Sequence, residues 1–205
     1  MVELVLQECS NTDINTKDYY YDGCTPLIYA CKEGHSKMLQ RLLVHPQIEV
    51  NEGDTHGRTA LHEASRMGDF KIVEILLRHP QIEVNKREKG GKTVLFEEAY
   101  NGHSEIVQLL LGHPRIEINK EVNDGRTALY QASSNGLSEV VELLLEHPQI
   151  EVNKGDNNGR TALYWASRYG HSVIVQLFLK HPKIDVNEEL TLAFLWQCSA
   201  GKGKR

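Results

Sequence analysis

Apolar and polar positions recur along this chain at a fixed distance. Thr25, Thr59, Thr93, Thr127 and Thr161 each open a similar segment, and each stands 34 residues after the one before. Leu27, Leu61, Leu95, Leu129 and Leu163 share one register within these five copies. So do the glycines from Gly34 to Gly170, the His-Pro pairs from His45-Pro46 to His181-Pro182, and Asn51, Asn85, Asn119, Asn153 and Asn187. Such a period marks a repeat architecture, in which each unit buries its apolar face against its neighbours.

Each copy predicts two short helices. The opening Thr is a natural N-cap, and Pro26 falls at the first helical position, where its missing N–H costs nothing. The helix is expected to stop at Gly34, Gly68, Gly102, Gly136 or Gly170, a residue type that accepts the left-handed cap conformation. Ser36, Ser104, Ser138 and Ser172, with Asp69 in the second copy, restart a helix. Its apolar residues have helical spacing, as in Ile106, Val107, Leu110 and Leu111. His-Pro ends it, because histidine is favourable near a helix C-terminus and proline blocks continuation. Ile-Glu-Val then alternates inward and outward, and Asp22-Gly23, Asp124-Gly125 and Asn158-Gly159 carry the signature of a tight hairpin turn.

Helix, turn, helix and projecting hairpin, in this order, resemble the ankyrin repeat. Thr25-Pro26-Leu27 and the run from Thr59 to Ala64, Thr-Ala-Leu-His-Glu-Ala, match that family's Thr-Pro-Leu-His-x-Ala opening. The departure is one residue per unit: the usual Gly-Ala-Asp-Val-Asn appears as His-Pro-x-Ile-Glu-Val-Asn, which lengthens the link to the hairpin. The resemblance implies an all-α fold, a solenoid of helix-turn-helix units with short projecting β-hairpins, over a single domain of residues 1–205. Residues 1–24 are expected to form a partial unit, with Val2 to Cys9 as its second helix. Leu190 to Cys198 is expected to form a capping helix before a basic tail, its Leu192, Leu195 and Trp196 facing Leu163, Ile174 and Phe178.

Composition narrows the function classes. The net charge of −5 argues against a dedicated nucleic-acid binder, which needs clustered Lys and Arg. No apolar run approaches the ~18–20 residues of a membrane span, and Met1-Val2-Glu3 begins no visible signal peptide. Cys9, Cys24, Cys31 and Cys198 have no paired spacing, so free thiols in a cytoplasmic or nuclear setting are expected. Gly90-Gly91-Lys92-Thr93 resembles the end of a phosphate loop, but Lys86 stands where that motif needs glycine. The five His-Pro histidines form a ladder instead of converging on a metal, and no nucleophile–base set is present. A non-catalytic protein without metal or cofactor is expected.

By resemblance, the partner is another protein, held in a concave groove made by the hairpin tips and the exposed side of each first helix. Carried over position by position, the groove residues are Tyr19, Tyr21, His56, Arg58, Arg66, Met67, Lys92, Tyr100, Asn101, Asp124, Arg126, Asn158, Arg160, Trp165, Arg168 and Tyr169. Arg58, Lys92, Arg126 and Arg160 occupy one register and read as a positive stripe, which points to an acidic or phosphorylated peptide. Asn51, Asn85, Asn119, Asn153 and Asn187 also stand in a pattern resembling the substrates of asparaginyl hydroxylases. The alternative for these asparagines is a structural one, holding the hairpin through bonds to backbone. A third reading is a spacer within a longer array. One break stands out: Glu98 replaces the small residue of Ala30, Ala64, Ala132 and Ala166. Either that helix rotates so that Ala99 takes the place, or Glu98 finds a basic partner; the rotation is the favoured expectation.

Overall fold

The computed structural model of the chain describes residues 13–186. The expected N-terminal helix over Val2 to Cys9, the capping helix over Leu190 to Cys198 and Asn187 lie outside them. The chain divides into two compact units, Met1–Lys89 and Gly90–Arg205. The first contains the first two copies, with a 3-10 turn at Tyr19–Tyr21 and helices α1 (Pro26–Lys32), α2 (Ser36–Leu43), α3 (Ala60–Arg66) and α4 (Phe70–Leu77). The second contains the other three, with α5 (Val94–Asn101), α6 (Ser104–Leu111), α7 (Ala128–Asn135), α8 (Ser138–Glu146), α9 (Ala162–Arg168) and α10 (Ser172–Lys180).

Within each unit the packing follows the repeat. Every first helix lies against its own second helix and against the first helix of the adjacent copy, α1 on α3, then α5 on α7 and α7 on α9. The core is a row of fully buried side chains, Leu27, Leu39, Leu61, Ile72 and Leu76 in one unit and Leu110, Leu144, Leu163, Ile174 and Phe178 in the other. Each such side chain contributes roughly 1.5–3 kcal/mol, so stability is spread over the copies.

The local signals act where the sequence places them. Thr25, Thr93, Thr127 and Thr161 cap their helices by accepting from the backbone N–H three residues on, at 3.2–3.3 Å. In the second copy His62 reaches back, its Nδ1 accepting from the Thr59 N–H at 3.3 Å. All five turn glycines have left-handed φ, from 70° to 83°. The serines are the first helical residues and do not cap; only Asp69, one position earlier, accepts from the free Ile72 N–H at 3.0 Å.

The His-Pro histidines act at the helix C-termini through a ring nitrogen. His45, His79, His113, His147 and His181 each accept through Nδ1 from the N–H two residues on, at 3.3 Å. An N–H donor needs a lone pair at Nδ1, so each ring acts as a turn cap through that atom. Burial lowers the pKa of His79 and His113, which favours the neutral ring. After the turn, Ile48 and Val50 are buried and Glu49 is exposed, an alternation repeated at Ile82, Glu83 and Val84.

Two expectations are corrected. The β-hairpins are turns closed at most by single bridges, Asp18–Cys24 and Gly155–Thr161, with no longer strand among the described residues. The reason is length: the arm after the Asn51 turn has room for one closing pair, Asp54 with Arg58, before α3 is capped. Nor does α5 rotate. Ala99 keeps the buried register of Cys31, Ser65, Ser133 and Ser167, and Glu98 is fully buried where alanine stands elsewhere. Glu98 pairs with His103, Oε2 lying 2.6 Å from Nδ1. Burial pushes the Glu98 pKa up, and His103 partly offsets it.

Candidate partner-binding surface

The hairpin tips are built around a carboxylate. In the second tip, just before Thr59, the Asp54 N–H donates to the Arg58 carbonyl at 2.9 Å, and left-handed Gly57 completes a three-residue turn. Asp54 Oδ1 accepts from the His56 and Arg58 N–H groups, and Oδ2 takes the Arg58 guanidinium at 3.2 Å. Asp156 does the same for Asn158 and Arg160, with a 2.7 Å ion pair. Asp124 holds Arg126 through Nε at 2.8 Å. Partial burial opposes ionisation of Asp124 and Asp156, but the bonds from Arg126 and Arg160 outweigh it and keep both carboxyls below the usual range.

Arg58, Arg126 and Arg160 are thus half-exposed and each anchored on an acid of its own tip; Lys92 in the same register is exposed. Sequence reading missed Asp54 and Asp156, and it included Asp124 without its pairing to Arg126. The signal was present as Asp-x-x-x-Arg at 54–58 and 156–160, and as Asp-x-Arg at 124–126. Buried Glu63 was missed as well. Its two oxygens meet Arg58 Nε at 3.3 Å and Arg66 at 2.7 Å, tying a tip to the helix beside it.

The second unit gathers six of the expected residues into one cleft. Asp124, Arg126, Asn158, Arg160, Trp165 and Tyr169 line a cavity of about 500 Å³, together with Tyr130, Gln131, Ser134, Asn135 and Asp156. Trp165 is its centre. Tyr169 stacks on it at 5.3 Å, Tyr130 meets it edge-on at 5.9 Å, and the Arg160 and Arg168 guanidinium carbons lie 5.0 and 5.5 Å from its ring. The Trp165 Nε1 is buried without an acceptor among the described residues. Tyr130 donates toward Asp156 at 3.5 Å; burial and that carboxylate push its phenol up to about 12, so it stays a donor. Arg126 also donates to Gln131 at 3.2 Å, and Gln131 to Asn135 at 3.2 Å, which fixes the floor.

The other expected residues are not among those that line this cleft. His56, Met67 and Arg66 are exposed in the first unit, and Tyr100 and Asn101 are exposed on α5. Tyr19 and Tyr21 stand on the first tip. Asn51, Asn119 and Asn153 are clasps: each amide N–H donates to a carbonyl of the next copy at 2.7–2.8 Å, and each amide oxygen accepts from a backbone N–H two residues beyond it. Asn85 lies half-buried in the same register. Asn15, which the sequence reading did not include, makes the same clasp on Gln47 and Glu49.

The family model for ankyrin repeats (3 copies) matches residues 1–88 and 95–189. The chain belongs to the ankyrin-repeat family. Among solved structures it is similar to the crystal structure of EF0377, an ankyrin repeat protein, with a TM-score of 0.79 and 26% identity, over 88% of this chain and 90% of that one. No curated protein matches the sequence. The ankyrin-repeat assignment makes this an all-α repeat solenoid, a fold that generally serves as a protein–protein interaction module and is typically non-catalytic. No helix among the described residues is long and apolar enough to cross a membrane.

Proposed function

We propose that this ankyrin-repeat chain binds a partner protein through the face made by its tips and first helices, and that the Trp165 cleft anchors an acidic or phosphorylated side chain of that partner. The cleft itself carries the reading. Arg160 spends Nε and one terminal nitrogen on Asp156, and Arg126 spends Nε on Asp124 and one on Gln131. Each guanidinium keeps a terminal nitrogen with no acceptor among the described residues, and arginine forks suit carboxylate and phosphate. The bound aspartates hold both forks in place, so little ordering cost remains for a ligand to meet. Trp165 and Tyr169 supply aromatic surface of the kind that dominates binding hot spots. The role is non-catalytic and the setting cytoplasmic or nuclear, a placement supported by Cys24 and Cys31, which are free and buried.

The test is a panel of labelled decapeptides, acidic, phosphorylated and neutral, titrated by fluorescence anisotropy against the wild type and the R126E/R160E variant. Selective binding of acidic or phosphorylated peptides, weakened about tenfold or more in the variant, is expected. Equal binding by both proteins removes the cleft from the mechanism.

A further inference from the structure

The first tip differs from the others in length. The closing pairs Asp54–Arg58, Val122–Arg126 and Asp156–Arg160 each enclose a three-residue turn, whereas Asp18–Cys24 encloses five. The same difference shows in spacing, ten residues from Asn15 to Thr25 against eight from Asn51 to Thr59. The longer loop is used for aromatic side chains. Tyr19, Tyr20 and Tyr21 are 76%, 98% and 60% exposed, so the rings contribute almost nothing to the core.

The backbone beneath them is fixed. Asp18 Oδ1 accepts from the Tyr20 N–H at 2.9 Å, and the Asp18 carbonyl accepts from Tyr21 and Gly23 at 3.1 and 2.9 Å. Asp22 is left-handed, with φ 58°, the one non-glycine residue with positive φ among the described residues. Tyr21 rests edge-on against Tyr29 at 5.8 Å. A rigid tip that presents tyrosine rings loses little entropy on binding. The tip is also acidic: Asp13, Asp18 and Asp22 stand against one base, Lys17, which is already paired with Glu52.

We infer that this tyrosine tip is a second docking surface, which takes an arginine-bearing segment of a partner protein. A guanidinium can stack on an exposed tyrosine face and meet a flanking aspartate, and arginine does both better than lysine. The acidic charge disfavours nucleic acid and anionic membranes at this point. The surface extends the protein-binding reading but does not depend on the Trp165 cleft.

The experiment titrates the full chain with labelled Arg-Gly, Lys-Gly and Glu-Gly alternating decapeptides at low salt. Amide chemical shifts report on residues 18–24 and anisotropy reports affinity. Saturable binding of the Arg-Gly peptide is expected, centred on those amides, weaker for Lys-Gly and absent for Glu-Gly. The Y19S/Y20S variant should weaken it about tenfold with an unchanged melting temperature. D22N keeps the left-handed turn and should weaken it about threefold. R126E/R160E should leave it unaltered, which separates this surface from the cleft. No saturable binding, equal binding of Glu-Gly, or full affinity in Y19S/Y20S overturns the inference.

Discussion

Removing His103 should strand a buried carboxylate. In wild type Glu98 is fully buried and paired at 2.6 Å, while the His103 side chain is 39% exposed. Deleting one partner of a buried pair costs about 3–5 kcal/mol, and the open histidine side lets water approach, which places His103→Ala near the lower end, about 3 kcal/mol. The cost must depend on pH. Burial raises the folded-state pKa of Glu98 and His103 partly offsets it, so the variant loses the offset and the pKa rises further. A carboxyl with a raised folded pKa stabilises while protonated, below its unfolded value of about 4.3, and that contribution is lost as pH rises through the folded pKa. Urea midpoints followed by circular dichroism at pH 8 and pH 4.5 read this directly. The variant should be far weaker than wild type at pH 8 and close to it at pH 4.5. Adding Glu98→Ala, which restores the residue type of the other copies, should remove most of the loss at pH 8. An equal loss at both pH values, or no rescue in the double variant, refutes the stranded carboxylate.

Two further outcomes follow from the turns. Gly125 has φ 83°, and a Cβ there would lie 2.5 and 2.7 Å from Asn157 Oδ1 and N; Gly159 has φ 75° and open space around it. Gly159→Ala should cost about 1–2 kcal/mol for the left-handed backbone alone, and Gly125→Ala clearly more, as compared by urea midpoint. His79 and His113 have depressed pKa values, so their contribution is complete above the unfolded value of about 6.5 and falls as pH drops below it. H79N/H113N, which keeps a turn acceptor that does not titrate, should flatten the fall in melting temperature between pH 7.5 and 5 relative to wild type.

The helices and turns were legible because their signals are local. A Thr cap and a glycine stop act within three residues of themselves, and Ile48-Glu49-Val50 displays its alternation in the string. The partner of Glu98 lies only five residues on, but across the Gly102 turn, where helical spacing gives no guide. The arginine register was visible, yet its charge balance was not, because the acids that neutralise it belong to the turn and not to the repeated Gly-Arg-Thr. The cleft joins Arg126 to Trp165, and the clasps join residues 30–34 positions apart. Only packing brings such pairs together.

The asparagine clasps also make certain surface amides informative. The N–H groups of Glu49, Glu83, Glu151 and Asp185 lie on exposed residues, where exchange with solvent would ordinarily be fast. Each is held instead by an asparagine from the preceding copy, at 2.8–2.9 Å. Its exchange rate therefore measures how often two successive copies separate, one junction per amide. Glu49 and Glu83 report on junctions in the first unit, Glu151 and Asp185 on junctions in the second, and together they allow fraying to be followed step by step without any label.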